Sequence, residues 1–204
     1  MSYDPPRPAG RLLLTPEDKE APARTLRLRR LGLGERPEPA LDAFADHLAE
    51  LTGAPYAMVN FLDEHRQFFA GLHRPERDVL DVDTASAPAP AGAGDARGTR
   101  RELGRRLARD HGFCPHVVAR RKALVLEDVR DYPRFAGNPV VDEFGIRSYL
   151  GAPLIDSTQT VLGTVCVVDL EPRPWGREGL GTIKSAAAEL APRLERRGPE
   201  GLRF

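Results

Sequence analysis

The residue types best able to do chemistry gather in HGFCPHVVARRKALVLEDV, residues 111–129. Cys114, one of only two cysteines in 204 residues, has His111 three positions before it and His116 two after. Three chemistries suit such a trio. His-x2-Cys-x-His offers three soft or borderline ligands for zinc or iron. A structural zinc site ordinarily takes a fourth ligand, and this spacing matches no common zinc module. Nucleophilic catalysis is the second option. Pro115 suits the first turn of a helix, a helix N-terminus lowers a thiol pKa, and either histidine is a candidate base or ion-pair partner. That chemistry also needs a resolving cysteine. Cys166 lies inside the apolar run TVCVV, where a buried, inert thiol is the expectation. Haem is the third option, with His73, His111 and His116 as candidate axial ligands over an apolar pocket. The plainer alternative is that His116 begins a short helix and packs beneath a loop.

The surrounding elements decide what these residues meet. PEPALDAFADHLAELTGAP (37–55) reads as a helix, because Leu41, Phe44, Leu48 and Leu51 recur three and four apart. A shorter helix is expected over 24–35, with Leu26, Leu28, Leu31 and Leu33 on its apolar edge. YAMVNFLDE (56–64) is a strand apolar at both parities, so both of its faces should be covered. QFFAGL (67–72) returns to close a hairpin. RELGRRLARDHG (101–112) is read as a basic helix or turn, CPHVVARRK (114–122) as a short helix and ALVLEDV (123–129) as a strand. Residues 130–145 read as loop with a short helical turn. IRSYLGAPLID (146–156) and TVLGTVCVVDL (160–170) form a second hairpin around DSTQ. A terminal helix over 177–197 lines up Leu180, Ile183, Ala187, Leu190 and Leu194. Two hairpins, with helices before, between and after, favour an α+β fold.

Composition narrows the classes further. Lysine plus arginine and aspartate plus glutamate are 30 each, a formal net charge of zero, so neither nucleic acid nor an anionic membrane is expected as a bulk partner. The start, MSYDPPRPAG, has no apolar core of a signal peptide. No apolar run is long enough to span a bilayer. Two cysteines do not make a disulfide scaffold, and a cytoplasmic setting with reduced thiols is expected. Residues 1–23 read as a flexible leader, about 82–98 as a low-complexity Ala/Pro/Gly loop insert, and 198–204 as a C-terminal tail.

The chain resembles the GAF domain, a sensory fold related to PAS, over roughly 24–197. LRRLGLGERPEPALDAFADHLAELTGAPYAMVNFLDEHRQFFAGL looks like the opening of a bacterial GAF subgroup, whose first strand ends in Asp-Glu-x-Arg-Gln-x-Phe. FCPHVV stands where that subgroup has Phe-Cys-x-His before apolar residues. LVLEDVRDYPRFAGNPVV resembles its Asp-x-x-x-Asp-x-Arg-Phe-x-x-Asn-Pro stretch, and IRSYLGAPLI and LGTVCVVD resemble its last two strands. The resemblance implies a central antiparallel sheet of five to six strands. Helices from the two ends would pack on one face, and loops and short helices would enclose a small-ligand pocket on the other. The Asn-Lys…Phe…Asp-Glu set of cyclic-nucleotide GAF domains is not found here, which argues against cAMP or cGMP. No kinase, cyclase, phosphatase or DNA-binding output segment is recognised, so the chain is read as stand-alone.

The pocket implied by that resemblance would gather Phe69, Phe113, Cys114, His116, Asp128, Arg134, Tyr149 and Asp169. Charged groups converging on a half-apolar cavity suit a small polar ligand. The equal alternative is that Asp128 and Arg134 only brace their loop by local pairing. The expected function is sensing of an unidentified small molecule, or signal relay, through a signalling protein partner and without catalysis. No cofactor is firmly implied, haem and metal included. A homodimer through the terminal helices is expected. One alternative is a thiol-dependent redox enzyme resembling the free methionine-(R)-sulfoxide reductases, with Cys114 as nucleophile, although their cysteine pattern is not reproduced. Another is a protein-interaction module with a vestigial pocket.

Overall fold

A computed structural model describes residues 15–75 and 103–196. The leader as far as residue 14, the loop insert at 82–98 and the tail at 198–204 lie outside the described residues. Helix α1 (Ala21–Leu31) leads to α2 (Pro39–Thr52), which has proline in its first turn, where the missing N–H costs little. Strands β1 (Tyr56–Leu62) and β2 (Arg66–His73) form the first hairpin. After β3 (Arg106–Ala108) come α3 (Cys114–Arg120), β4 (Leu124–Leu126), a 3-10 turn at Val129–Asp131, and the short helices α4 (Pro133–Ala136) and α5 (Pro139–Glu143). The second hairpin, β5 (Ser148–Ile155) and β6 (Val161–Asp169), runs on into α6 (Gly176–Glu195). The six strands make one antiparallel sheet in the order β3-β2-β1-β6-β5-β4. The α+β architecture and the strand number agree with the expectation.

The sheet separates two apolar layers. Leu41 and Leu48 of α2 and Ile183, Leu190 and Leu194 of α6 pack with Val59, Leu150 and Val165 on one face. Each such buried side chain contributes about 2 kcal/mol relative to exposure. On the other face α3, α4 and α5 cover Met58, Phe69, Tyr149, Cys166 and Val168. Helix α2 approaches β2 closely at Gly71, where a Cβ would fall 2.2 Å from the Leu41 carbonyl oxygen. Among the described residues no helix is long and apolar enough to cross a membrane.

Several local expectations need correction. Helix α1 starts at Ala21, inside the segment read as leader, and Leu26 is exposed while Arg24 is buried. The Arg24 Nε donates to the Leu62 carbonyl at 2.7 Å, and its guanidinium pairs with Asp18, which also takes Arg109 at 2.9 Å. Buried charge is tolerated there because it is paired. The basic segment read as a helix or turn supplies, over 103–112, a three-residue edge strand followed by a turn. Pairing of Arg106–Ala108 with Arg66–Phe68 overrides local helix propensity. The stretch 130–145 is more helical than expected, since the Asp128 and Asn138 side chains accept from Arg130 N–H and Val140 N–H and so start successive turns.

Candidate functional site

The Cys-His motif is held against the sheet by two side-chain amides. Gln67 of β2 donates to the carbonyls of Ala108 at 2.8 Å and His111 at 2.6 Å. Asn138, at the start of α5, accepts from Gly112 N–H at 2.8 Å, donates back to the Gly112 carbonyl at 2.9 Å, and accepts from Val140 N–H. This reciprocal pair fixes the chain entering α3. Gln67 is itself buried and accepts from the Asn60 amide at 2.9 Å.

Cys114, the first residue of α3, therefore lies on the sheet. Its Sγ is 3.7 Å from Cys166 Sγ and 3.4 Å from the Tyr149 hydroxyl. Cys166 stands in mid-sheet, register-paired with Met58 of β1 and Gly151 of β5. Gly151 makes room for the phenol: a Cβ there would meet the Tyr149 Oη at 2.2 Å. Both thiols are free and buried. Cys114 is held below the ordinary thiol range, first by its hydrogen bond with Cys166 and further by Thr164, Tyr149 and Asn60, against the opposing effect of burial. Cys166 is pushed well above its range by that same shared bond, burial and the Cys114 charge. Burial and the nearby sulfurs likewise keep Tyr149 protonated. The sequence points to the N-terminus of α3 as the cause of a lowered Cys114 pKa; in the folded chain the leading cause is the hydrogen bond with the partner thiol.

A small, partly open cavity of about 30 Å³ adjoins this cluster, bounded by Phe69, Phe113, Tyr149, Met58 and both cysteines. That is room for about one water molecule. Phe113 meets Tyr149 at 5.2 Å and Phe135 at 5.8 Å between ring centroids. Of the expected pocket residues, Phe69, Phe113, Cys114 and Tyr149 gather here. His116 instead packs edge-on against Phe135 at 4.9 Å, buried, its Nδ1 without a hydrogen-bond partner. Its pKa falls to about 4, through burial first and then the Arg134 and Arg120 charges.

The charged candidates turn elsewhere. Asp128 pairs with Arg147, whose hydrogen bond leads the causes holding its carboxyl below the usual range. Arg134 is exposed. Asp169 pairs with Arg173, which reaches on to the Thr52 and Gly53 carbonyls at the end of α2. The expected convergence of charge on the cavity is thus replaced by bracing ion pairs around it. The His-Cys-His trio also separates: His111 sits beside Asp110 at 2.9 Å and Glu143 at 3.8 Å, away from the thiols. His73, the other haem candidate, lies against Asp46. Among the described residues no group of three His, Cys, Asp or Glu side chains could hold a metal ion.

Sequence reasoning did not single out Gln67, Asn138 or Gly151, and judged Cys166 inert. Asn138-Pro139 is a legible helix start, and the alternation Thr164, Cys166, Val168 placed that thiol on one face. Which neighbours it met depended on strand order.

The model of the GAF domain family matches residues 36–194. A cyclic di-GMP phosphodiesterase of Pseudomonas aeruginosa is 31% identical over 162 residues, covering 78% of this chain and 22% of that protein. The chain thus spans about a fifth of that relative's length. Among solved structures, the GAF domain of an Acinetobacter phosphoenolpyruvate-protein phosphotransferase superposes with TM-score 0.55 at 17% identity, covering 88% of this chain and 95% of that one. A free methionine-R-sulfoxide reductase of Neisseria meningitidis gives 0.53 at 16% identity, covering 76% and 75%. At such identities the likeness is one of fold. With the family pattern running through α2, the whole sheet and most of α6, the chain belongs to the GAF domain family.

Proposed function

We propose that this chain is a signal-relaying GAF module that takes its input at the small cavity beneath α3 and passes it on by protein contact, without turnover. The observation that carries this reading is the cavity itself. It lies between the sheet and the segments that carry α3 and α5, and side-chain amide bonds at Gln67 and Asn138 hold the loop that enters α3. Such a cover can take a second position at modest cost, which is what a population shift requires. As it stands the cavity admits a water-sized guest. A larger ligand would bind only as α3 moves outward, and its polar contacts would come from Gln67, Tyr149 and the thiols, since Asp128 and Asp169 are paired with Arg147 and Arg173 and Arg134 faces solvent. Contact with a second copy through the terminal helices, or with a signalling protein partner, is part of the proposal. So is a cytoplasmic setting that keeps both thiols reduced.

Native mass spectrometry of the full chain tests this, with and without a set of small polar compounds and beside the cavity-filling variant Val168→Phe. We expect one small molecule per chain, lost in the variant, with slower hydrogen exchange in α3 on binding. An unliganded mass throughout, with α3 exchange unmoved by every compound, would overturn ligand sensing.

A thiol-dependent reductase is the second reading, favoured by the 3.7 Å separation of the two sulfurs. A free methionine sulfoxide, with roughly ten heavy atoms, needs several times the volume of one water and so exceeds the present cavity. Turnover of such a substrate by the wild type, abolished by Cys114→Ser, would establish it over the relay reading.

A further inference from the structure

The geometry points to a modification site in the cavity wall: Cys114 and Cys166 close a reversible intramolecular disulfide when the chain meets hydrogen peroxide. The sulfurs already touch at 3.7 Å, and a disulfide asks that they close to about 2.05 Å. The two partners differ in freedom. Cys166 is locked between β1 and β5 in mid-sheet. Cys114 opens a two-turn helix tethered through the Gly112–Asn138 bonds. Closure therefore moves the first turn of α3 toward the sheet.

The cavity's small volume favours a small oxidant. At about 30 Å³ it suits a two-oxygen peroxide far better than a bulky hydroperoxide or a disulfide reagent. The electronic setting is consistent with this order of events. Cys114 is the thiol of the pair more readily ionised, and the protonated Tyr149 hydroxyl, 3.4 Å away, is placed to donate to its thiolate. Cys166 keeps its proton.

The chemistry balances in two steps. The Cys114 thiolate attacks one peroxide oxygen and the O–O bond breaks. Cys114 becomes a sulfenic acid, and the departing hydroxide takes up the proton that Cys114 gave to solvent on ionising, to become water. Cys166 then attacks the sulfenic sulfur, the S–O bond breaks, and the hydroxyl leaves with the Cys166 proton as a second water. Two thiols and one peroxide give one disulfide and two waters. An added dithiol reverses the change by thiol–disulfide exchange. The signalling consequence rests on the relay reading above; the oxidation itself does not.

The test treats the reduced full chain with one equivalent of hydrogen peroxide at low protein concentration, followed by intact mass, denatured thiol count and peptide mapping. We expect a loss of about 2 Da, two free thiols falling to none, a Cys114–Cys166 linked peptide, and full recovery with dithiothreitol. Cys166→Ala should stop at a sulfenic acid on Cys114, about 16 Da heavier and trapped by dimedone. Tyr149→Phe should slow the first step roughly tenfold, the loss expected from one hydrogen bond to a charged group. That variant keeps both thiols and the ring, so it remains informative if the cysteine variants misfold. Two surviving thiols, oxidation arrested at sulfenic acid in the wild type, or linkage only between chains would overturn the inference. A wild type that resists peroxide yet binds a small molecule in the native-mass experiment would leave the relay reading standing alone.

Discussion

His116 should make the fold acid-sensitive through one proton. The ring is 5% exposed, lies edge-on against Phe135, and its Nδ1 has no hydrogen-bond partner. Its folded-state pKa is lowered to about 4, while an unfolded histidine titrates near 6.5. Above the unfolded value both states are neutral and the residue is silent. As pH falls from about 6.5 to 4 the unfolded chain takes up a proton that the folded chain refuses, and stability drops by about 1.4 kcal/mol per unit. The full loss is roughly 3 kcal/mol, complete by pH 4 and constant below it. Urea unfolding of wild type and His116→Leu at pH 7, 6, 5 and 4 isolates this, because the carboxylates common to both cancel in the difference. Leucine has similar volume and loses no hydrogen bond at Nδ1, so at pH 7 the variant should differ by under about 1.5 kcal/mol. Toward pH 4 it should gain up to about 3 kcal/mol on the wild type. A difference independent of pH would refute the reasoning.

Other perturbations test the supports. Gly151→Ala places a methyl where the Tyr149 hydroxyl lies, so it should displace the phenol from Cys114 and raise the apparent thiol pKa, read by the pH dependence of alkylation. Asn138→Ala removes three hydrogen bonds and should cost about 2–3 kcal/mol in thermal or urea unfolding. By loosening α3 it should also speed labelling of Cys114 by roughly tenfold or more. Asp18→Ala strands the fully buried Arg24 charge and should cost roughly 3–5 kcal/mol by the same unfolding assay.

The elements were legible wherever the apolar spacing was strong. Leu41 and Leu48 announced α2, and the doubly apolar YAMVNFL run announced a strand covered on both faces. The weakly patterned start was not legible: Leu26 fits a helical stripe yet faces solvent, while Arg24 goes inside because a carbonyl and Asp18 happen to meet it. The three-residue β3 carries no periodic signal and exists because β2 offers it an edge. At the site, the aromatic wall and Cys114 could be anticipated from the motif. The partner thiol could not, since Cys166 looks inert within TVCVV until β6 is known to lie between β1 and β5. Asp128 shows the same limit in reverse. Its carboxylate suggests a ligand, and only the folded loop reveals Arg147 beside it.

Hydrogen exchange of the full chain, reduced and after one equivalent of peroxide, tests most directly whether the wall beneath α3 is where this GAF module takes its signal. The account predicts slower exchange in residues 113–120, a change that extends along β6 into α6, and reversal by dithiothreitol. Identical exchange in these segments, with the Cys114–Cys166 linkage verified in the same sample, would contradict it.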